Sequence, residues 1–117
     1  MGQINDRLRS VQSAHFAHWC DGCQEMHGVP KSWTFDGSYA SPTVTPSVKI
    51  TGKQTVKENG KWTGEWVRDA SGKAVDMCCH YILTAGQLQY CGDSTHALAG
   101  KTVPLPPLPE WCRDQSA

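Results

Sequence analysis

Cys20-Asp21-Gly22-Cys23 limits what this chain can fold into more than any other stretch. Two cysteines two residues apart, with Gly22 between them to permit the tight turn, can aim both sulfurs at one tetrahedral cation. That is half of a metal site. The other half has to come from the distant cluster Cys78-Cys79-His80 or from the segment Cys91 to His96, so the long stretch between is tied back to the turn. A chain of 117 residues buries only a modest core, and such a closure then matters to its stability.

Six cysteines could form three disulfides in a secreted protein, but the N-terminus has no secretory h-region and one pair has metal-knuckle spacing. Reduced thiols binding a structural zinc, with iron as the competitor, is the expectation, and the cytoplasm is the expected compartment. No apolar run approaches a membrane span, and Asp6 stands where a myristoylation motif needs Ser or Thr. With 11 basic and 11 acidic residues there is no net charge to draw the chain to nucleic acid or to a membrane, so neither is an expected partner.

Residues 1–14 are read as an N-terminal helix or arm, because Ile4, Leu8 and Val11 recur at i, i+4, i+7. A single β-rich domain follows over 15–112, with a tail at 113–117. The aromatic run His15 to Trp19 reads as a strand delivering Cys20, and Ser32 to Phe35 as a second strand closed by Asp36-Gly37. Pro42 and Pro46 hold the next segment extended until pairing resumes at Val48 and Ile50. Asn59-Gly60 predicts a projecting hairpin near 53–67, with Trp62 and Trp66 on one face.

A second hairpin turns at Ala85-Gly86, and counting outward puts Cys79, Tyr81, Leu83, Leu88 and Tyr90 on an apolar face. Cys78, His80, Ile82, Gln89, Cys91 and Asp93 fall on the other, with His80 across from Cys91. The metal site could therefore close through Cys79 on the core side or through His80 and Cys91. Residues 93 to 100 read as a two-turn helix capped by Asp93 or Ser94 and ended by Gly100. The proline-rich stretch Val103 to Trp111 has to be extended, as a strap on the surface. The fold class is mainly β (α+β): a small, zinc-stapled antiparallel hairpin domain with one or two short helices.

The order of motifs Trp19-Cys20-Asp21-Gly22-Cys23, His27-Gly28-Val29-Pro30, Trp33-Thr34-Phe35-Asp36-Gly37, Pro42 to Val48, Cys79-His80-Tyr81-Ile82 and Asp93 to Pro106 resembles the DUF6527 family. These are small bacteriophage-encoded Cys/His-rich proteins of unknown function, often labelled "ammonia monooxygenase". The resemblance implies an apolar residue where this chain has Cys91, which favours Cys20, Cys23, Cys79 and one histidine as ligands, with His96 ahead of His80 and His27. It also implies an infected bacterial host as the setting.

Two functions compete at this stage. The first is a non-enzymatic phage accessory protein that binds a small anionic ligand or a host protein, such as a counter-defence protein sequestering a nucleotide-type immune signal. His27, Trp33, His80 and Asp93 offer stacking faces and hydrogen-bonding groups for it, with no obvious nucleophile among them. The second is a zinc-dependent hydrolase or deaminase-like enzyme, with Glu25 or Asp93 moving the proton. It lacks the His-x-Glu partner of deaminase zinc sites.

Overall fold

The computed structural model describes residues 2–59 and 61–113. Gly60 of the hairpin turn and most of the expected tail, 114–117, lie outside the described residues, as does Met1.

Alternating small and aromatic residues make β2 (Ala14–Cys20), and a turn over the knuckle returns the chain as β3 (Glu25–Pro30), pairing His18 with His27 and Cys20 with Glu25. The short strand β1 (Leu8–Arg9) adds to the outer edge of β2. The N-terminal segment is thus not the helix its periodicity predicts. The Asn5 side chain accepts from the N–H groups of Arg7 and Leu8, and Ile4 N–H donates to Leu8 carbonyl, so a tight turn takes up the bonds a helix would need.

After the two-residue strands β4 (Thr34–Phe35) and β5 (Val44–Thr45), which pair with each other, comes β6 (Val48–Lys53). The hairpin of β7 (Thr55–Glu58) and β8 (Lys61–Trp66) projects from the body, with Asn59 at φ 53° in its turn. Every residue of β8 is exposed apart from its own ribbon, and Trp62 packs on Trp66 at 5.0 Å rather than covering the core. A radius of gyration of 14.6 Å, against ~13 Å for a compact chain of this length, reflects such a projection.

The longest strand, β9 (Asp76–Thr84), turns at Ala85-Gly86 into β10 (Gln87–Tyr90), and β11 (Thr102–Pro104) completes a sheet of order β11-β10-β9-β6. Leu88 pairs with Leu83 and Tyr90 with Tyr81, the register read from the sequence. β6 lies on the other side of β9, with Lys49 directly across from His80. The core forms where the two larger sheets meet: Phe16, Cys20 and Val29 from one, and Val48, Cys79, Tyr81, Leu83, Leu88 and Tyr90 from the other.

Residues 93–100 are a run of turns, not the expected helix. Asp93 caps nothing; Ser94 N–H donates to Cys91 carbonyl and Gly100 N–H to Tyr90 carbonyl, which curls the segment back on the sheet. The proline-rich strap buries Leu105 and Leu108 and ends in the only helical element among the described residues, a 3-10 turn at Glu110–Cys112. It is tied to the N-terminus by Arg7 Nε to Leu105 carbonyl (2.6 Å) and Leu108 N–H to Asp6 carbonyl (2.8 Å). The fold is therefore mostly antiparallel β, as its patterning implies.

Candidate metal centre and a polar triad

β9 presents consecutive residues to opposite sides of its sheet, and each side carries a cluster. On the core side, the knuckle between β2 and β3 meets Cys79, and the turns after β10 bring His96 to the same point. One donor atom from each of Cys20, Cys23, Cys79 and His96 lies within 4.8 Å of all the others. Cys20 Sγ and Cys79 Sγ are 3.9 Å apart, and His96 Nε2 is 3.4 Å from Cys79 Sγ. Sulfurs bound at 2.3 Å to a tetrahedral ion sit about 3.8 Å apart, so this group fits a four-coordinate metal ion.

Hydrogen bonds from Cys23 and then Cys79 hold the Cys20 thiol far below its ordinary pKa, while the hydrogen bond each makes to Cys20 pushes Cys79 and Cys23 up. Tyr90 hydroxyl lies 3.1 Å from Cys20 Sγ, and its ring packs edge-on against His96 at 4.6 Å. Gly22 is required by close approach: a Cβ there would meet His96 Nδ1 at 2.4 Å. His27, nearly fully buried, stacks on Tyr81 and has a ring nitrogen within 4.8 Å of Cys23 Sγ. Its Nε2 is the one buried side-chain N or O atom without a hydrogen bond among the described residues. All six cysteines are free thiols.

The other side of β9 shows what the sequence did not. His80 Nε2 lies 2.9 Å from Ser47 Oγ, and His80 Nδ1 lies 3.0 Å from Asp93 Oδ1. Hydrogen bonding and charge from His80, then Lys49, outweigh desolvation and hold the Asp93 carboxyl below its ordinary range, so it can only accept. In the neutral ring Nδ1 therefore carries the hydrogen, and Nε2 is left to accept from the serine hydroxyl. Ser94 Oγ accepts from His80 N–H and donates to His80 carbonyl, fixing the backbone beneath the ring. Lys49 Nζ stands 3.4 Å from Asp93 Oδ2.

Trp33 contributes from β4's approach: its indole N–H donates to Ser47 carbonyl at 3.1 Å, and its own carbonyl meets His15 Nε2 at 2.7 Å. Of the four side chains expected to face a ligand, His80 and Asp93 come together and Trp33 supports their neighbour. His27 is separated from them, because β3 turns it into the core against Tyr81. Glu25 is ion-paired to Lys57 at 3.2 Å. Ser47 lies within the run Pro42 to Val48 but was not among the expected site residues; the pairing of β6 with β9 brings it to His80.

The molecule is thus a small β protein with a Cys3His cluster on one face of a strand and a serine, histidine and aspartate in hydrogen-bonded series on the other. The chain belongs to the BubE family, whose description reads "Bacterial ubiquitination-like system serine protease (BubE)" and whose model matches residues 3–91. That finding corrects the DUF6527 assignment, and the phage origin and "ammonia monooxygenase" label that came with it fall away. The matched span contains Ser47, His80 and three of the four metal-cluster residues, and stops just before Asp93. No curated protein and no solved structure matches the chain.

Proposed function

We propose that this protein is a serine protease of a bacterial ubiquitination-like system, with Ser47 as nucleophile, His80 as general base and Asp93 as the group that orients it. The supporting observation is the series Ser47 Oγ to His80 Nε2 (2.9 Å) and His80 Nδ1 to Asp93 Oδ1 (3.0 Å). The chain order Ser, His, Asp differs from the familiar protease orders, but such triads are recognised by geometry and role.

Ser47 Oγ attacks the scissile carbonyl as its proton passes to His80 Nε2, and the tetrahedral intermediate collapses as that proton goes to the leaving amine. The acyl group remains on Oγ until water, deprotonated by the same nitrogen, releases the acid and restores the serine. Asp93 keeps the hydrogen on Nδ1 and stabilises the imidazolium formed in both steps. The Cys20, Cys23, Cys79 and His96 cluster holds a structural zinc in this reading. Four protein donors fill a tetrahedron and leave no position for a reactive water, which argues against zinc-dependent hydrolysis. Six free cysteines suit a reducing compartment such as the cytoplasm.

A fluorophosphonate probe tests the proposal. Intact-mass and peptide analysis should find one adduct, on Ser47. Ser47→Ala should abolish it, and Asp93→Asn should slow it by about 10^3–10^4-fold with the fold unchanged. A face built to hold a small anionic ligand or a host protein, the alternative role for His80 and Asp93, would leave Ser47 unlabelled.

A further inference from the structure

Beside the triad sits a donor that hydrolysis does not use. Cys91 follows β10, is half-buried, and its N–H donates to His80 carbonyl at 2.8 Å. That cross-strand bond places the Cys91 thiol, a ring nitrogen of His80 and a carboxylate oxygen of Asp93 within 4.8 Å of one another. A thiolate, an imidazole and a carboxylate are a ligand set for zinc or a similar thiophilic divalent cation. We infer that His80, Cys91 and Asp93 form a second, reversible zinc site whose occupation switches the triad off. The inhibitory part rests on the hydrolase reading; the binding part does not.

The tautomer of His80 connects occupancy to activity. Both Asp93 oxygens lie near Nδ1, at 3.0 and 3.2 Å, whereas Nε2 points to Ser47. A cation held by Cys91 and Asp93 therefore meets Nδ1 and takes its lone pair. The ring hydrogen moves to Nε2, the thiol proton goes to solvent, and thiolate and carboxylate together balance the doubly charged ion. Nε2–H then donates to Ser47 Oγ and can no longer accept its proton, so the nucleophile loses its base.

The same surroundings make this site weaker than the Cys3His cluster. It offers three protein ligands instead of four, Asp93 is exposed, and Lys49 competes for the carboxylate at 3.4 Å. Cys20 and Cys79, by contrast, are fully buried. The two sites should fill in sequence.

The experiment starts from protein carrying one zinc and adds zinc under equilibrium dialysis, with fluorophosphonate labelling of Ser47 followed in parallel. Wild type should take up a second zinc and lose labelling at least tenfold as it does so. Cys91→Ala, or Cys91→Ser should the first variant fold poorly, should label at the wild-type rate without added zinc and need at least tenfold more zinc for the same loss. Lys49→Met, lacking the competing cation, should bind the second zinc more tightly; weaker binding would remove Asp93 from the ligand set. Equal zinc sensitivity in wild type and the Cys91 variant, or no second zinc in dialysis, overturns the inference. Absence of labelling at any zinc level would defeat the hydrolase reading instead, while the dialysis count of wild type against Cys91→Ala still decides the site.

Discussion

Trp33 illustrates how much one hydrogen bond can do at the residue scale. Its ring is packed at the core margin, but its N–H is directed to the carbonyl of Ser47. Trp33→Phe keeps most of the packing and removes about 1 kcal/mol of hydrogen bonding, so the fold should survive while Ser47 loses its backbone anchor. Labelling of Ser47 should slow by roughly tenfold with the melting temperature within a few degrees; an unchanged rate would make Trp33 a packing residue only. His18 governs a different property. It is fully buried, accepts from Tyr81 hydroxyl at 2.6 Å with Nε2, and donates from Nδ1 to Trp19 carbonyl at 3.2 Å. Burial first, and the nearby charge of His27 second, lower its pKa from 6.5 to about 4. The unfolded chain takes up this proton near pH 6.5 and the folded chain only near 4, so stability should fall as pH drops through that window, by on the order of 3 kcal/mol. Urea midpoints at pH 7 and pH 5 should differ less in His18→Gln than in wild type; equal differences would mean His18 is not the titrating group.

Among the elements, β9 and the knuckle determine the most. The alternation of β9, and its pairing with β10 about Ala85-Gly86, were legible in the sequence because both faces obey period two and the turn fixes the register. The knuckle was legible because two cysteines and a glycine in four residues have few other uses. The triad was not legible. Ser47 is an ordinary serine after a proline, and nothing local says that β6 will lie against β9 with Lys49 opposite His80. Two helical readings fail for different reasons: at the N-terminus, read as a helix or arm, local turn bonds to Asn5 and Leu8 take up the groups that the spacing of Ile4, Leu8 and Val11 would place in a helix, whereas over 93–100 tertiary contacts overrule the caps. In the second case the competing contact is visible, since His96 must turn its ring onto Gly22. That contact gives a prediction for the element. Gly22→Ala drives a Cβ to within 2.4 Å of His96 Nδ1, so the imidazole has to leave the cluster or the knuckle has to open. Metal content, measured by elemental analysis of the purified variant, should fall well below one per chain. Full occupancy would show that His96 is not a ligand.

At the scale of the whole molecule, one cluster joins the two sheets that share the core. Cys20 and Cys23 lie at the β2–β3 turn, Cys79 on β9, and His96 in the turns that follow Asp93, so a bound ion would tie the first sheet to the second and to the loop carrying Asp93. Cys79 adjoins His80, and His96 is three residues from Asp93. The metal cluster and the triad therefore share β9 and the loop that carries Asp93 and His96, although they face opposite sides of β9. A structural zinc there would contribute folding free energy directly, and its loss should lower stability by at least ~3 kcal/mol, or about 10 °C in melting temperature. Chelation should also cost activity through displacement of the Asp93 loop. Protein stripped with a strong chelator should lose most Ser47 labelling together with its melting temperature, and a single equivalent of zinc should restore both. The Cys23→Ser variant should behave like the stripped protein and resist rescue. Labelling that persists in metal-free protein, with the melting transition lowered, would show that Ser47, His80 and Asp93 are held by the β6–β9–β10 sheet alone.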